Sequence, residues 1–245
     1  MYSDFALVYD RLMDDIDYPA WAEFYRQMLA ASGARVREAA ECGCGTGSMT
    51  VELAKKGMIL TASDLSEEML MKAADKARRR GVRARFVCQD MRMLRMTKPA
   101  DGVLCCCDGV NYMLTDEDAA AFFASAYKAL KPGGVLAFDV SSEEKLRGMI
   151  RDGFFGEDRD DVTYLWTNEA AGEDRIHMEL AFFVKEADGR YRRFDEEQTQ
   201  RIYTPEILSA LLEQAGFTDI RVYGDRRLTP PQAGDMRIHI TARKA

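Results

Sequence analysis

The sequence predicts an α/β chain built on a doubly wound, mostly parallel sheet. Short apolar runs at residues 36–42, 58–63, 84–88, 102–107 and 134–140 alternate with helical stretches, the signature of successive β-α-β units. A glycine-rich turn, Glu41-Cys42-Gly43-Cys44-Gly45-Thr46-Gly47, closes the first run, at the carboxyl end of a strand where such sheets bind ligands. The 245 residues are 47% apolar with only 6 prolines, enough to bury one large core without disulfides or metals.

Ahead of the sheet, Phe5, Val8, Tyr9, Leu12 and Met13 follow the i, i+3, i+4, i+7, i+8 spacing of an amphipathic helix, and Trp21, Phe24, Tyr25, Met28 and Leu29 repeat it. Pro19 suits the first turn of the second helix, where its missing N–H would have no partner. Residues 1–34 therefore form a helical cap. Residues 35–155 and 204–245 make the α/β domain. Within it, Ser66 caps a helix with Glu67 and Glu68 in its first turn and Arg78, Arg79 and Arg80 in its last, charges that match the helix dipole and account for the triple arginine. Thr115 with Asp118 opens the helix that runs to Leu130. Segments 161–167, 175–185 and 191–203 alternate and are rich in aromatic and β-branched residues, with Asp188-Gly189 as a hairpin turn. They predict a three-stranded antiparallel insertion over 156–203. Thr204-Pro205 opens a last helix, and strands at 217–223 and 237–242 bring the main sheet to seven.

Composition narrows the function. The 34 basic and 41 acidic residues leave a net charge of −7 and no basic block, so nucleic acid is not an expected partner. The opening Met1-Tyr2-Ser3-Asp4-Phe5 lacks a signal-peptide pattern, and no run reaches the ~20 apolar residues of a spanning helix. The expected location is the cytoplasm, with no membrane partner and six reduced thiols. The cysteines fall as C-x-C and C-C-C in strands, where neighbouring side chains point to opposite faces, so no metal site is expected.

The chemistry should lie at the carboxyl edge of the strands. Gly43, Gly45 and Gly47 let backbone approach a ligand closely, but a dinucleotide fingerprint would need glycine at position 48, which is Ser48. Asp64, ending the second strand, can accept hydrogen bonds from two ribose hydroxyls. Those two facts point to a nucleoside with a non-phosphate tail. After the third strand, Gln89-Asp90-Met91 places a carboxylate beside an apolar side chain, suited to an adenine ring. Cys107-Asp108 follows the fourth.

These motifs, with Leu65-Ser66-Glu67-Glu68-Met69-Leu70 after Asp64 and Lys131-Pro132-Gly133-Gly134 before the fifth strand, resemble the class I S-adenosylmethionine-dependent methyltransferases, most strongly over residues 35–140. The resemblance implies a Rossmann-like methyltransferase fold with its last strand antiparallel. It implies S-adenosylmethionine as cofactor, with Glu41, Gly43, Cys44, Gly45 and Gly47 around its methionine part. Asp64 would hold the ribose with Leu65 and Met69 beside it, and Gln89, Asp90 and Met91 would take the adenine. Cys107 and Asp108 would face the sulfonium and the substrate. The N-terminal segment looks like the lid of members that methylate amines of small metabolites, which makes Tyr9, Tyr18 and Trp21 candidates to close over the cofactor.

A sulfonium methyl is already activated, so orientation matters more than an elaborate catalytic set. Asp108, Tyr9 and His177 are the candidate catalytic groups. A neutral amine needs no base, whereas a hydroxyl usually wants one. Arg192, Arg193 and Arg201 are candidates to hold a substrate carboxylate. The expected activity is methyl transfer to an N or O nucleophile of a small molecule, by a monomer or homodimer. A non-catalytic cofactor sensor is one alternative. The other is an NAD(P)-dependent oxidoreductase, for which Tyr127-x-x-x-Lys131 lies at the wrong end of its helix.

Overall fold

The computed structural model describes residues 5–245, the side chain of Leu7 excepted. Residues 1–4 of the expected 1–34 cap lie outside the described residues. The elements are α1 (Phe5–Leu12), α2 (Tyr18–Ala31), β1 (Glu38–Cys42), α3 (Ser48–Lys55), β2 (Ile59–Asp64), α4 (Glu67–Arg79), β3 (Ala84–Cys88), β4 (Ala100–Cys105) and α5 (Asp116–Ala129). They continue through β5 (Leu130–Ser141), α6 (Glu143–Asp152), β6 (Phe154–Asp158), β7 (Val162–Ala170), β8 (Arg175–Lys185), β9 (Tyr191–Arg201), α7 (Pro205–Gln214), β10 (Phe217–Tyr223) and β11 (Arg237–Lys244).

The seven-stranded sheet has the order β10-β11-β5-β4-β1-β2-β3, and only β11 runs against its neighbours. The chain winds one way through β1, β2 and β3, then crosses back to β4 on the other side of β1. The reversal leaves a crevice above the carboxyl ends of β1 and β4. Helices cover both faces. Phe122, Phe123 and Leu212 pack with Cys42, Cys105 and Phe138 on one side, and Tyr25, Met28 and Leu53 pack with Leu104, Cys106 and Ala137 on the other. Cys105 and Cys106 thus face opposite layers, as consecutive strand residues must.

Local sequence explains the boundaries. Ser66 Oγ accepts from the Met69 amide at 3.1 Å, Thr115 Oγ1 from that of Asp118 at 3.1 Å, and Thr204 Oγ1 from that of Ile207 at 3.4 Å. The capping box is half formed, because the Asp118 carboxylate turns instead to Arg92 at 2.6 Å. The first strand begins at Glu38, later than the predicted residue 36. The amides of Arg37 and Glu38 donate to the Asp101 carboxylate at 3.0 and 2.9 Å, which satisfies the polar approach before the buried part begins.

The insertion has four strands, in the order β6-β7-β8-β9, which corrects the expected three. Phe154–Asp158 is short, contains Gly156 and is exposed throughout, so it carries no alternating pattern to read. Pairing with β7 makes it a strand. Ile176, Met178, Leu180 and Phe182 on the inner face of β8 pack with Phe5, Ala6 and Val8 of α1 and with Leu146 of α6. The cap is therefore held between the inserted sheet and the main domain. No helix among the described residues is long and apolar enough to cross a membrane.

Gly47, in the left-handed region at φ +77°, joins the glycine turn to α3. A Cβ there would lie 2.8 Å from that of Ala73 on α4. Gly47→Ala is expected to destabilise the fold by about 2–3 kcal/mol, combining left-handed strain with overpacking, as read by urea denaturation.

Candidate active site

Three strand ends and the cap meet at the crevice. Gly43 and Gly45 are left-handed, at φ +66° and +51°, and a Cβ added to either would meet nothing within 4 Å. Unlike Gly47, they leave open space for a ligand to approach the backbone. Asp64 ties this turn to the next loop, with Oδ2 accepting from the Gly45 amide at 2.8 Å and Oδ1 from the Ser66 amide at 3.0 Å. An ionised carboxylate has about four acceptor positions, so these bonds leave room for ribose hydroxyls. Beside it Leu65 is 66% exposed, a large apolar side chain free to cover a ring. Glu41 is buried at the base of the turn, and its Oε2 has no partner. An orphaned buried oxygen, two open glycines and an accepting carboxylate fit a polar nucleoside ligand such as S-adenosylmethionine.

The other candidates divide. The Gln89 side chain accepts from the Arg95 amide at 3.1 Å, with its own Nε2 buried and unpartnered. Asp90 caps a short 3-10 turn through the Arg92 amide at 2.8 Å and is gripped by the Arg92 guanidinium, whose hydrogen bonds hold its carboxyl below the usual range. Met91 leans on the main core, and Met69 packs beneath α1 in the same cluster as Phe5. Cys44 is buried against Ala62 and Leu70. Trp21 is buried on α2, with Arg237, which also reaches Asp108, stacked over its ring at 4.9 Å and His239 at 5.8 Å.

Tyr9 and Tyr18 stand near Cys107 and near each other. Burial, reinforced by neighbouring acidic groups, pushes both phenols above their ordinary range. They stay protonated and can donate, not take, a proton. The next residue of α1, Asp10, accepts through Oδ1 from Thr46 Oγ1 of the glycine turn at 2.6 Å and from Lys76 Nζ of α4 at 2.8 Å. Lys76 also donates to Ser48 Oγ at 2.6 Å. The cap is thus tied to the glycine turn by side chains from three elements.

Asp108 accepts from Ser141 Oγ at 2.9 Å and faces Lys145 at 3.9 Å and Arg237 at 3.6 Å. Behind it lies a group absent from the sequence-based candidates. Asp139 on β5 is fully buried and receives the amides of Cys107 and Asp108 at 2.8 and 2.9 Å, the Tyr25 hydroxyl and the Arg237 guanidinium. Burial alone would raise its carboxyl, but Arg237 and the hydrogen bonds outweigh that and keep it ionised. An acid interrupting the run Val135-Leu136-Ala137-Phe138-Asp139-Val140 was the available signal.

His177 is not brought to this cluster. It sits on the face of β8 opposite Ile176 and Met178, with Nδ1 3.2 Å from Thr199 Oγ1. Arg201 is engaged by Asp174 and Asp116 at 2.8 and 2.7 Å, Arg192 pairs with Glu186 and Arg193 with Asp195.

Burial pushes the Glu41 carboxyl from its ordinary 4.5 up to about 7. Because the folded chain then keeps a proton that the unfolded chain releases, stability is full below pH 4.5, declines as pH rises toward 7 and is flat above. The expected loss is on the order of 3 kcal/mol. Glu41→Gln should abolish that slope in urea denaturation at pH 5 and pH 8.

Comparison with known proteins gives the same assignment. A family model described as a methyltransferase domain matches residues 39–134. A protein of Bacillus subtilis strain 168, assigned by its name to the methyltransferases, is 36% identical over 248 aligned positions, covering 100% of this chain and 98% of its own. A glycine/sarcosine N-methyltransferase of Halorhodospira halochloris is 29% identical, over 96% of this chain and 87% of its own. The crystal structure of an S-adenosylmethionine-dependent methyltransferase from Clostridium acetobutylicum superposes with a TM-score of 0.89 and 31% identity, covering 100% of this chain and 99% of that one. The chain belongs to the class I S-adenosylmethionine-dependent methyltransferases.

Proposed function

We propose that the enzyme transfers the methyl group of S-adenosylmethionine to an amine nitrogen of a small molecule. The engagement of the candidate bases carries this reading. Asp108 is held by Ser141 between two cations, the Tyr9 and Tyr18 phenols remain protonated, and His177 faces away from the cap. A neutral amine attacks with its own lone pair, whereas a hydroxyl acceptor usually wants a base. The full-length likeness to a glycine/sarcosine N-methyltransferase supports the same choice.

The cofactor supplies a methyl group already activated on a sulfonium. Gly43 and Gly45 would receive its methionine part, with Glu41 and Cys44 beneath them and Gly47 seating the turn on α4. Asp64 would accept from the ribose hydroxyls and Leu65 would cover the ring, with Gln89, Asp90 and Met91 at the adenine end. Met69 would act through the packing of α1. Cys107 and Asp108 would border the sulfonium, and Tyr9 and Tyr18 would close over it and exclude water. Residues 1–34 would serve as the lid and the inserted sheet as the substrate side of the 35–155 and 204–245 domain.

Incubation with methyl-labelled cofactor and a panel of primary and secondary amines, glycine and sarcosine among them, alongside alcohols and phenols, should yield labelled amine. Labelled alcohols or phenols instead would overturn the nitrogen assignment. Asp64→Ala should weaken S-adenosylmethionine binding at least tenfold in calorimetric titration. Asp10→Ala, which unties α1 from Thr46 and Lys76, should speed release of S-adenosylhomocysteine at least fivefold in stopped-flow measurements.

A further inference from the structure

Two consecutive residues other than glycine, Cys107 at φ +62° and Asp108 at φ +57°, lie in the left-handed region just after β4. Side chains rarely adopt that backbone, so the turn must be held by its surroundings. Asp139 does so from the adjacent strand. Its Oδ1 accepts from the Cys107 amide at 2.8 Å and its Oδ2 from the Asp108 amide at 2.9 Å, two successive N–H groups converging on one carboxylate. The far side is anchored as well. The Asn111 amide donates to Asp108 O at 2.9 Å, and the buried Asn111 carboxamide accepts from the Ser141 amide at 2.9 Å and donates to Arg201 O at 2.8 Å. Gly109 is obligatory within the turn, because a Cβ there would lie 2.7 Å from Cys105 Sγ.

The groups around Asp139 keep it in place. Arg237 and His239 approach from β11, Tyr25 from α2, and Lys145 from α6 contributes charge beyond Ser141. Arg237 also stacks on Trp21, so the carboxylate joins the cap, the central strands and the closing strand.

We propose that Asp139 is a positioning residue for methyl transfer: through the amides of Cys107 and Asp108 it holds the left-handed turn that faces the sulfonium end of the cofactor. This rests on the placement of that turn at the sulfonium end given under Proposed function.

Calorimetric titration with S-adenosylmethionine tests it on wild type, Asp139→Asn, Cys107→Gly, the double variant and Arg237→Gln. Asp139→Asn keeps the shape but presents an amide donor where an acceptor is required. It should weaken binding at least tenfold. Glycine takes the left-handed region freely. Cys107→Gly should therefore weaken binding in the wild-type background, through its lost side chain, yet restore at least fivefold in Asp139→Asn. Arg237→Gln leaves both amide hydrogen bonds; it should lower the melting temperature while weakening binding by less than a third of the factor seen in Asp139→Asn.

Wild-type affinity in Asp139→Asn would overturn the role. So would an equal effect of Cys107→Gly in both backgrounds, or an Arg237→Gln loss matching that of Asp139→Asn, which would assign the effect to buried charge. Should Asp139→Asn not fold, Asp139→Glu, which keeps the charge but shifts the carboxylate by one methylene, replaces it in the same cycle. Asp64→Ala run alongside separates the two readings. Loss there with wild-type affinity in Asp139→Asn rejects the positioning role alone, and unchanged affinity in Asp64→Ala rejects the site reading and the positioning role with it.

Discussion

A single buried carboxylate, that of Asp139, organises the carboxyl edge of the sheet. It is fully buried, yet it stays ionised because four donors from three parts of the chain converge on it: two amides of the turn after β4, the Tyr25 hydroxyl of α2 and the Arg237 guanidinium of β11. Removing any one partner would leave a buried charge undercompensated, which is far more costly than losing an exposed ion pair. The cluster therefore specifies geometry as much as stability. With Asp139 in place, β11 must lie antiparallel against β5 in the register that sets His239 opposite it, and α2 must pack with Tyr25 inward.

The opposite wall depends on the cap. Helix α1 has no strand of its own to cover. It gains its place by filling the gap between the inner face of the inserted sheet and Met69 of α4, with Phe5 against Phe182 at 5.3 Å. Asp10 adds direction to that packing by reaching Thr46 and Lys76. Apolar contact fixes where the helix rests, and the polar bridge fixes which way it is turned. The inserted sheet and the glycine turn thus share α1 as a common neighbour. Tyr9 and Tyr18, partly buried near Cys107, belong to the same N-terminal segment.

The glycines illustrate how one motif serves two purposes. Gly43 and Gly45 face open space, while Gly47 is required by the approach of Ala73. Sequence spacing alone presents the three as equivalent. The helix caps, the strand ends and the position of Asp64 at the end of β2 were legible because each depends on neighbours within a few residues. Trp21 shows the opposite dependence: an aromatic on an amphipathic helix can face the ligand or the sheet, and its neighbour here, Arg237, is 216 positions further along the chain.

What the sequence determined by itself is what local chemistry can encode: the alternation of strands and helices, the caps at Ser66, Thr115 and Thr204, the open turn from Gly43 to Gly47 and the acid ending β2. The fourth inserted strand, the inward burial of Asp139, the outward face of His177 and the engagement of Arg92 by Asp118 were decided only by the tertiary structure. Each is set by pairing, burial or charge neutralisation against surroundings that the local pattern does not specify. An edge strand exists because a partner offers it hydrogen bonds, and a buried acid is tolerable only where distant donors have already been gathered around it.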